Sequence, residues 1–243
     1  MRQWLRIHHP SLADIPIGHG EMVPELNRLW AGGTLGALAD AERAGAAFGL
    51  HSNWRESGPG WEPQGHYKQC GFEELVTCND QPPAGPDSTR QPRATYLVYA
   101  AYGNTSGVMI PVTRHCDYAD ALASYDLGDP GGHSSAAWLV VGNYVSTVYP
   151  DNPATPAIGG PNRTVHLRLS GLPATLVHGE QTTVTLAKIP NSLQLAVPRP
   201  LPMETTVHRV TQSAAFPLGF DLDLQLVITN HDVWTVRVLR PVP

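Results

Sequence analysis

The chain has 243 residues, 42% of them hydrophobic and only 15% charged, with 23 glycines and 23 prolines. So few charges beside so many turn-forming residues exclude a helical bundle, and the apolar runs recurring through the second half exclude a disordered chain. A net charge of −5, with no basic cluster that interleaves aromatics, excludes a nucleic-acid surface.

From the start of the chain, Met1-Arg2-Gln3-Trp4-Leu5-Arg6-Ile7-His8-His9-Pro10 lacks the apolar core and cleavage site of a signal peptide. The first strand signal is Ile15-Pro16-Ile17-Gly18-His19-Gly20-Glu21-Met22, an apolar run that stops at a glycine and presents a carboxylate. Pro24 then opens a segment in which Leu26, Leu29, Trp30, Leu35, Leu38 and Ala41 recur at near-helical spacing. Gly32-Gly33 interrupts it, so the expectation is a short helix followed by a longer one capped by Thr34 and closed by Gly45 at C′. A second apolar run, Ala46-Ala47-Phe48-Gly49-Leu50, ends at His51-Ser52-Asn53-Trp54-Arg55-Glu56. A crossover of this length predicts two parallel strands joined with right-handed topology, their polar ends at one edge.

Ser57 to Arg93 is rich in Gly, Pro, Gln and Asp, and predicts little regular structure. From Ala94 the expected strands are Thr95–Tyr102, Gly107–Val112, Ala136–Val148, Thr164–Leu169, Thr182–Ile189, Thr205–Val210, Leu218–Val227 and Val233–Val238. Thr164-Val165-His166-Leu167-Arg168-Leu169 and Thr182-Thr183-Val184-Thr185-Leu186 alternate with period two, as an antiparallel sheet with one wet face requires. Gly159-Gly160-Pro161-Asn162, Gly171-Leu172-Pro173 and Pro198-Arg199-Pro200 read as turns. The fold class is therefore mainly β: an antiparallel β-sandwich over 94–243, a linker over 67–93, and a short α/β segment over 1–66.

No stretch reaches the roughly 18–20 uninterrupted apolar residues of a membrane-spanning helix, so no membrane partner is expected. Asn104-Thr105-Ser106 and Asn162-Arg163-Thr164 have the form of glycosylation acceptors, and Cys70 with Cys78 would close a small loop in a secreted protein, leaving Cys116 unpaired. His8, His9 and His19 match no metal-ligand spacing, and His19-Gly20-Glu21 has no following Pro-Cys-x-x-Cys, so no metal is expected. Asp126-Leu127-Gly128-Asp129-Pro130-Gly131-Gly132-His133 lacks the oxygen spacing of a calcium loop and reads as a turn. There is no nucleophile elbow, no phosphate-binding glycine loop and no dinucleotide fingerprint, so no cofactor is expected. Cys116, beside His115, is weak evidence for a thiol nucleophile.

The order of these features resembles the C-terminal third of clan A retaining glycoside hydrolases, with the α-L-iduronidase, β-xylosidase and heparanase-like branches nearest. Ile15–Glu21, Thr34–Gly45 and Ala46–Trp54 stand in the order of barrel strand seven, its helix and strand eight. Trp138-Leu139-Val140-Val141-Gly142-Asn143-Tyr144, Thr164–Leu172, Val184–Asn191 and Asp232-Val233-Trp234-Thr235-Val236 resemble the family's sandwich strands. The resemblance implies a (β/α)₈ barrel end plus a C-terminal sandwich, acting on O-glycosidic bonds by a retaining mechanism in a secreted or lysosomal setting.

Retaining chemistry needs two carboxyl groups about 5–5.5 Å apart. The resemblance makes Glu21 the candidate nucleophile. His51 and Arg55 are placed to orient it and keep it ionised, while Trp54 and Trp61 offer faces for sugar stacking. The plainer alternative makes Glu21 a loop acid capping the next segment, and Trp54 a core plug. Glu56 and Glu62 read as solvated loop acids. The family's acid/base lies in an Asn-Glu dipeptide, which this chain lacks. An upstream barrel domain is thus the expected partner, a carbohydrate the expected ligand, and this chain alone is expected to be inactive. The competing reading is a non-catalytic sandwich module that binds glycans or scaffolds a protein.

Overall fold

The computed structural model describes residues 7–8, 18–19, 31–46, 48–49, 91–105, 107–116, 118–128, 135–143, 162–191, 197, 200–229 and 231–241. Nearly half of them form two antiparallel sheets. The larger has six strands in the order β3 (Val108–Ile110), β4 (Ala119–Asp126), β5 (Ala136–Asn143), β11 (Val233–Leu239), β7 (Gln181–Ile189) and β8 (Met203–Arg209). The smaller runs β6 (Arg163–Pro173), β10 (Gly219–Ile228), β9 (Thr211–Gln212).

Alternation decides which side chains meet between the sheets. Along β10, Leu222, Leu224, Leu226 and Ile228 are buried while Asp223, Gln225 and Val227 face water. They share one core with Val165 of β6 and with Val141, Val184, Val236 and Val238 of the larger sheet. The expected sandwich is therefore present. Leu167, Leu169 and Leu186, also expected in the core, are half-buried and pack against its margin.

The other face of the six-stranded sheet is covered by two helices, α1 (Ala31–Arg43) and α2 (Ala94–Gly103). Leu35 and Leu38 of α1 and Leu97 and Val98 of α2 form a second core with Leu122, Val140, Ile189 and Val233. The central strands are thus buried on both faces, which explains the unbroken apolar run Ala136–Val141.

Three local expectations are corrected. Thr95–Tyr102 is helix α2, not a strand: Ala94, Leu97, Val98 and Ala101 fall at helical spacing on the face that packs inward. Gly32-Gly33 does not interrupt α1, and Thr34 is buried inside the helix instead of capping it. A Cβ on Gly32 would lie 1.9 Å from the Asn143 carbonyl oxygen, so the glycine serves close approach of helix to sheet. Strand β4 carried no expectation, because its small residues, Ala119, Ala121 and Ala123, hide its pattern.

Other expectations hold. Gly45 ends the α1 segment with φ of 64°, as a C′ glycine does. After β4 the Gly128 N–H donates to Asp126 Oδ1 at 2.9 Å, and residues 129–133 of the expected turn lie outside the described residues. Asn104 and Asn162, the two acceptor asparagines, are exposed. Cys116 carries a free thiol, and Cys70 and Cys78 lie outside the described residues.

Candidate functional site

Strands β1 (Gly18–His19) and β2 (Phe48–Gly49) pair in parallel, with Gly18 opposite Phe48 and His19 opposite Gly49. Parallel strands leave a pair in the same direction, so the chain emerges from His19 and from Gly49 at one edge. Glu21 follows two positions after the first exit and His51 two positions after the second. Glu21, His51, Trp54, Arg55 and Trp61 themselves lie outside the described residues.

Helix α1, the link between the two strands, is fastened to the sandwich at both ends. At its start the Gly32 N–H donates to the His231 carbonyl at 2.8 Å, and the Ala31 N–H to Asn191 Oδ1 at 3.4 Å. Asn191 is held in turn by its own N–H donating to Asp232 Oδ1 at 2.7 Å. Asp232, nearly buried, also pairs with Lys188 at 2.7 Å and accepts from the Thr229 hydroxyl. Close passage is completed at Gly142, where an added Cβ would come within 3.0 Å of Leu35 Cδ2.

At its end, Arg43 makes a two-pronged contact with Asp120 of β4, Nη1 to Oδ1 at 2.7 Å and Nη2 to Oδ2 at 2.6 Å. The Asp120 side chain is wholly buried and also accepts from the Ala121 N–H at 2.8 Å. Hydrogen bonding to Asp120 raises the Arg43 guanidinium above its ordinary range, outweighing the desolvation that opposes it. Beside it on α1, Glu42 accepts from the Tyr102 hydroxyl of α2, and Tyr102 is pushed up to about 12 by desolvation first and by that carboxylate second. These groups form a structural clamp. Sequence reasoning passed over Arg43 and Asp120, since a lone arginine and a lone aspartate 77 positions apart give no spacing signal.

Among the described residues, the concavities on the sandwich include these two. A groove of about 550 Å³ runs between α2 and the outer face of the larger sheet, lined by Leu97, Ala101, Asn104, Trp138, Ile189 and Leu201. Arg237 stacks over the Trp138 ring there, 4.6 Å from its centroid. A cleft of about 250 Å³ holds Arg114, His115, Cys116, Tyr118 and His166. Arg114 turns to Asp120 at 3.4 Å, and among the described residues no hydrogen bond joins the thiol to either histidine. Among the described residues no group of three or more His, Cys, Asp or Glu side chains is arranged to hold a metal ion, and no helix is long and apolar enough to cross a membrane.

Fold and site together define a β-sandwich with helix α1 of a strand–helix–strand unit docked on its outer face. No protein-family model matches the sequence, and no curated protein aligns with it. Solved structures do. A monomeric β-xylosidase from Caulobacter crescentus CB15 aligns over 99% of this chain and 48% of its own, with TM-score 0.50 and 10% identity. The bifunctional glucanase-xylanase CelM2 from a metagenome library aligns over 99% and 33%, with TM-score 0.45 and 11% identity. A GH39 enzyme from Xanthomonas axonopodis pv. citri aligns over 62% and 31%, with TM-score 0.39 and 14% identity. These neighbours are glycoside hydrolases, and the chain spans less than half the length of each. At such identities the likeness is one of fold, and the xylosidase alignment carries it.

Proposed function

We propose that this chain is the C-terminal portion of a clan A retaining glycoside hydrolase acting on O-glycosidic bonds. The observation that carries the reading is the parallel β1–β2 pair, whose two exits share an edge and lead to Glu21 and to His51–Arg55. The fold likeness to the xylosidase, over 99% of this chain, supports it.

In this reading Glu21 attacks the anomeric carbon, and a second carboxyl group, about 5–5.5 Å away, protonates the leaving oxygen and then activates water. That group comes from the remaining barrel strands, supplied by a preceding domain. His51 and Arg55 keep Glu21 ionised, and Trp54 and Trp61 stack on the sugar. A secreted or lysosomal setting, with Cys70 bridged to Cys78, accompanies this reading.

The test is turnover on a panel of aryl glycosides by the 243-residue chain and by the same chain joined to its barrel. The short form should be inactive, the long form active, and Glu21→Gln in the long form should abolish activity. Glu21-dependent turnover by the short chain, or full activity of the long Glu21→Gln form, refutes the assignment. A second reading, a non-catalytic glycan-binding module, is favoured by the groove beside Trp138. It predicts glycan binding by the short chain that survives Glu21→Gln and is lost in Trp138→Ala.

A further inference from the structure

The six-stranded sheet ends on β8. Among the described residues β8 pairs with β7 on one side, and no strand pairs with its other side. Met203, Glu204, Thr205, Val207 and Arg209 are exposed, and Thr206 and His208 are half-exposed. A strand of this kind presents a row of backbone donors and acceptors that can extend the sheet.

Proteins ordinarily blunt such an edge with lysine, proline or a bulge. Residues 203–209 contain no lysine and no proline. The register with β7 runs without a shift from Ala187 opposite Met203 to Gln181 opposite Arg209, so the edge is also free of bulges. Met203 and Val207, 70% and 60% exposed, put apolar side chains on the face that α1 and α2 cover elsewhere.

The sequence of the strand complements itself. A two-fold axis normal to the sheet and passing through Thr206 sets Glu204 opposite His208, Thr205 opposite Val207, and Met203 opposite Arg209 of a second copy. Such an axis keeps each face on its own side, so it pairs only residues of like alternation. Of the registers it permits, this one alone overlaps the whole of β8 and places Glu204 against a basic side chain. Opposite-charge pairs across strands are favourable, and like charges there are not.

We propose that β8 is a homodimer interface, two copies of this chain joining their six-stranded sheets edge to edge about Thr206. The inference is independent of the glycosidase reading, since it uses neither Glu21 nor the β1–β2 pair.

The experiment measures the mass of the full 243-residue chain by light scattering across a concentration series. Wild type should dimerise. Glu204→Arg, which removes the carboxylate facing His208 and sets a cation there, should weaken dimerisation by at least about tenfold. The double exchange Glu204→Arg with His208→Glu should restore it, a rescue that a general surface effect would not give. Thr206→Cys places two thiols on the axis with Cα atoms about 4.5–5.5 Å apart, within disulfide reach. Mild oxidation should therefore link the copies through this residue, while wild type run alongside stays unlinked. None of the three side chains altered is buried, so the variants should fold. A wild type that is monomeric throughout overturns the proposal. So does a dimer indifferent to Glu204→Arg and not linked through Thr206→Cys, or a monomer that takes up an unrelated extended peptide along β8.

Discussion

Arg43 and Asp120 meet through two parallel hydrogen bonds, 2.7 and 2.6 Å long, that join the last turn of α1 to strand β4. Asp120 is wholly buried, whereas Arg43 is 38% exposed, so solvent screens one half of the pair. Removing the carboxylate leaves the Arg43 guanidinium with Asp40 alone and takes away an acceptor of Arg114 and of the Ala121 N–H. Asp120→Ala should cost about 2 kcal/mol, within the range for hydrogen bonds to charged groups. Hydrogen exchange should quicken in α1 more than in β6 and β10. Equal effects in all three elements would show that the pair does not act as a local clamp.

Two of the helical glycines, Gly32 and Gly103, should respond in opposite directions. Gly32→Ala drives a methyl group into the Asn143 carbonyl and must lift α1 from the sheet, whereas a Cβ on Gly103 meets nothing within 4 Å. Gly103→Ala should stabilise by about 0.4–1 kcal/mol through the unfolded chain. Thermal unfolding of both variants checks the pair, and a neutral Gly32→Ala would remove the close-approach argument.

Along β10 the sequence alternates between core and solvent, and so should mutational cost. Leu224, 6% exposed, should lose about 2–5 kcal/mol on truncation to alanine, whereas Val227, 53% exposed, should change stability by no more than about 0.5 kcal/mol. Leu167→Ala, at the margin of the core, should fall near the low end of the larger range, about 2 kcal/mol. Urea unfolding midpoints of the three variants decide it.

Asp221 gives the sandwich an acid limit. Its carboxylate accepts from Arg168 at 2.9 Å and from the Gly171 N–H at 3.2 Å. The Arg168 hydrogen bond first, then one with Ser213, hold its pKa below the usual value. A depressed folded pKa contributes stability above the unfolded value, about 3.9, and loses it as the pH falls through the folded one. Urea midpoints of wild type should therefore decline below about pH 4, and Asp221→Asn should flatten that limb while lowering stability at neutral pH. An unchanged acid limb in the variant counts against this assignment.

What could be read directly from the residues follows from how burial marks a chain. Strands β6 and β10 each have one core-facing set, β7 and β11 add Ile189 and Val233 to the second core, and the period-two patterns of all four gave their position. The α2 segment misled because Thr95, Tyr96, Val98, Tyr99 and Tyr102 favour strands, and only tertiary packing on α1 decides for helix. Strand β4 is built of alanines because two layers press on it, and small residues carry little periodic signal. Parallel pairing of β1 and β2 was visible from the crossover length. The clamp at Arg43 and Asp120 was not, because it depends on an encounter between distant segments that no local pattern encodes.

Strand β11 occupies the middle of the larger sheet, with β5 on one side and β7 on the other, although it comes last in chain order among the described strands. Timing follows from that placement. During synthesis β5 and β7 emerge long before the strand that joins them, and each waits with an open side. The sheet closes only when residues 233–239 clear the ribosome, a distant pairing of the kind that slows folding. A message or protease that stops the chain short of Val233 would thus leave two half-sheets with exposed edges, prone to join neighbouring chains.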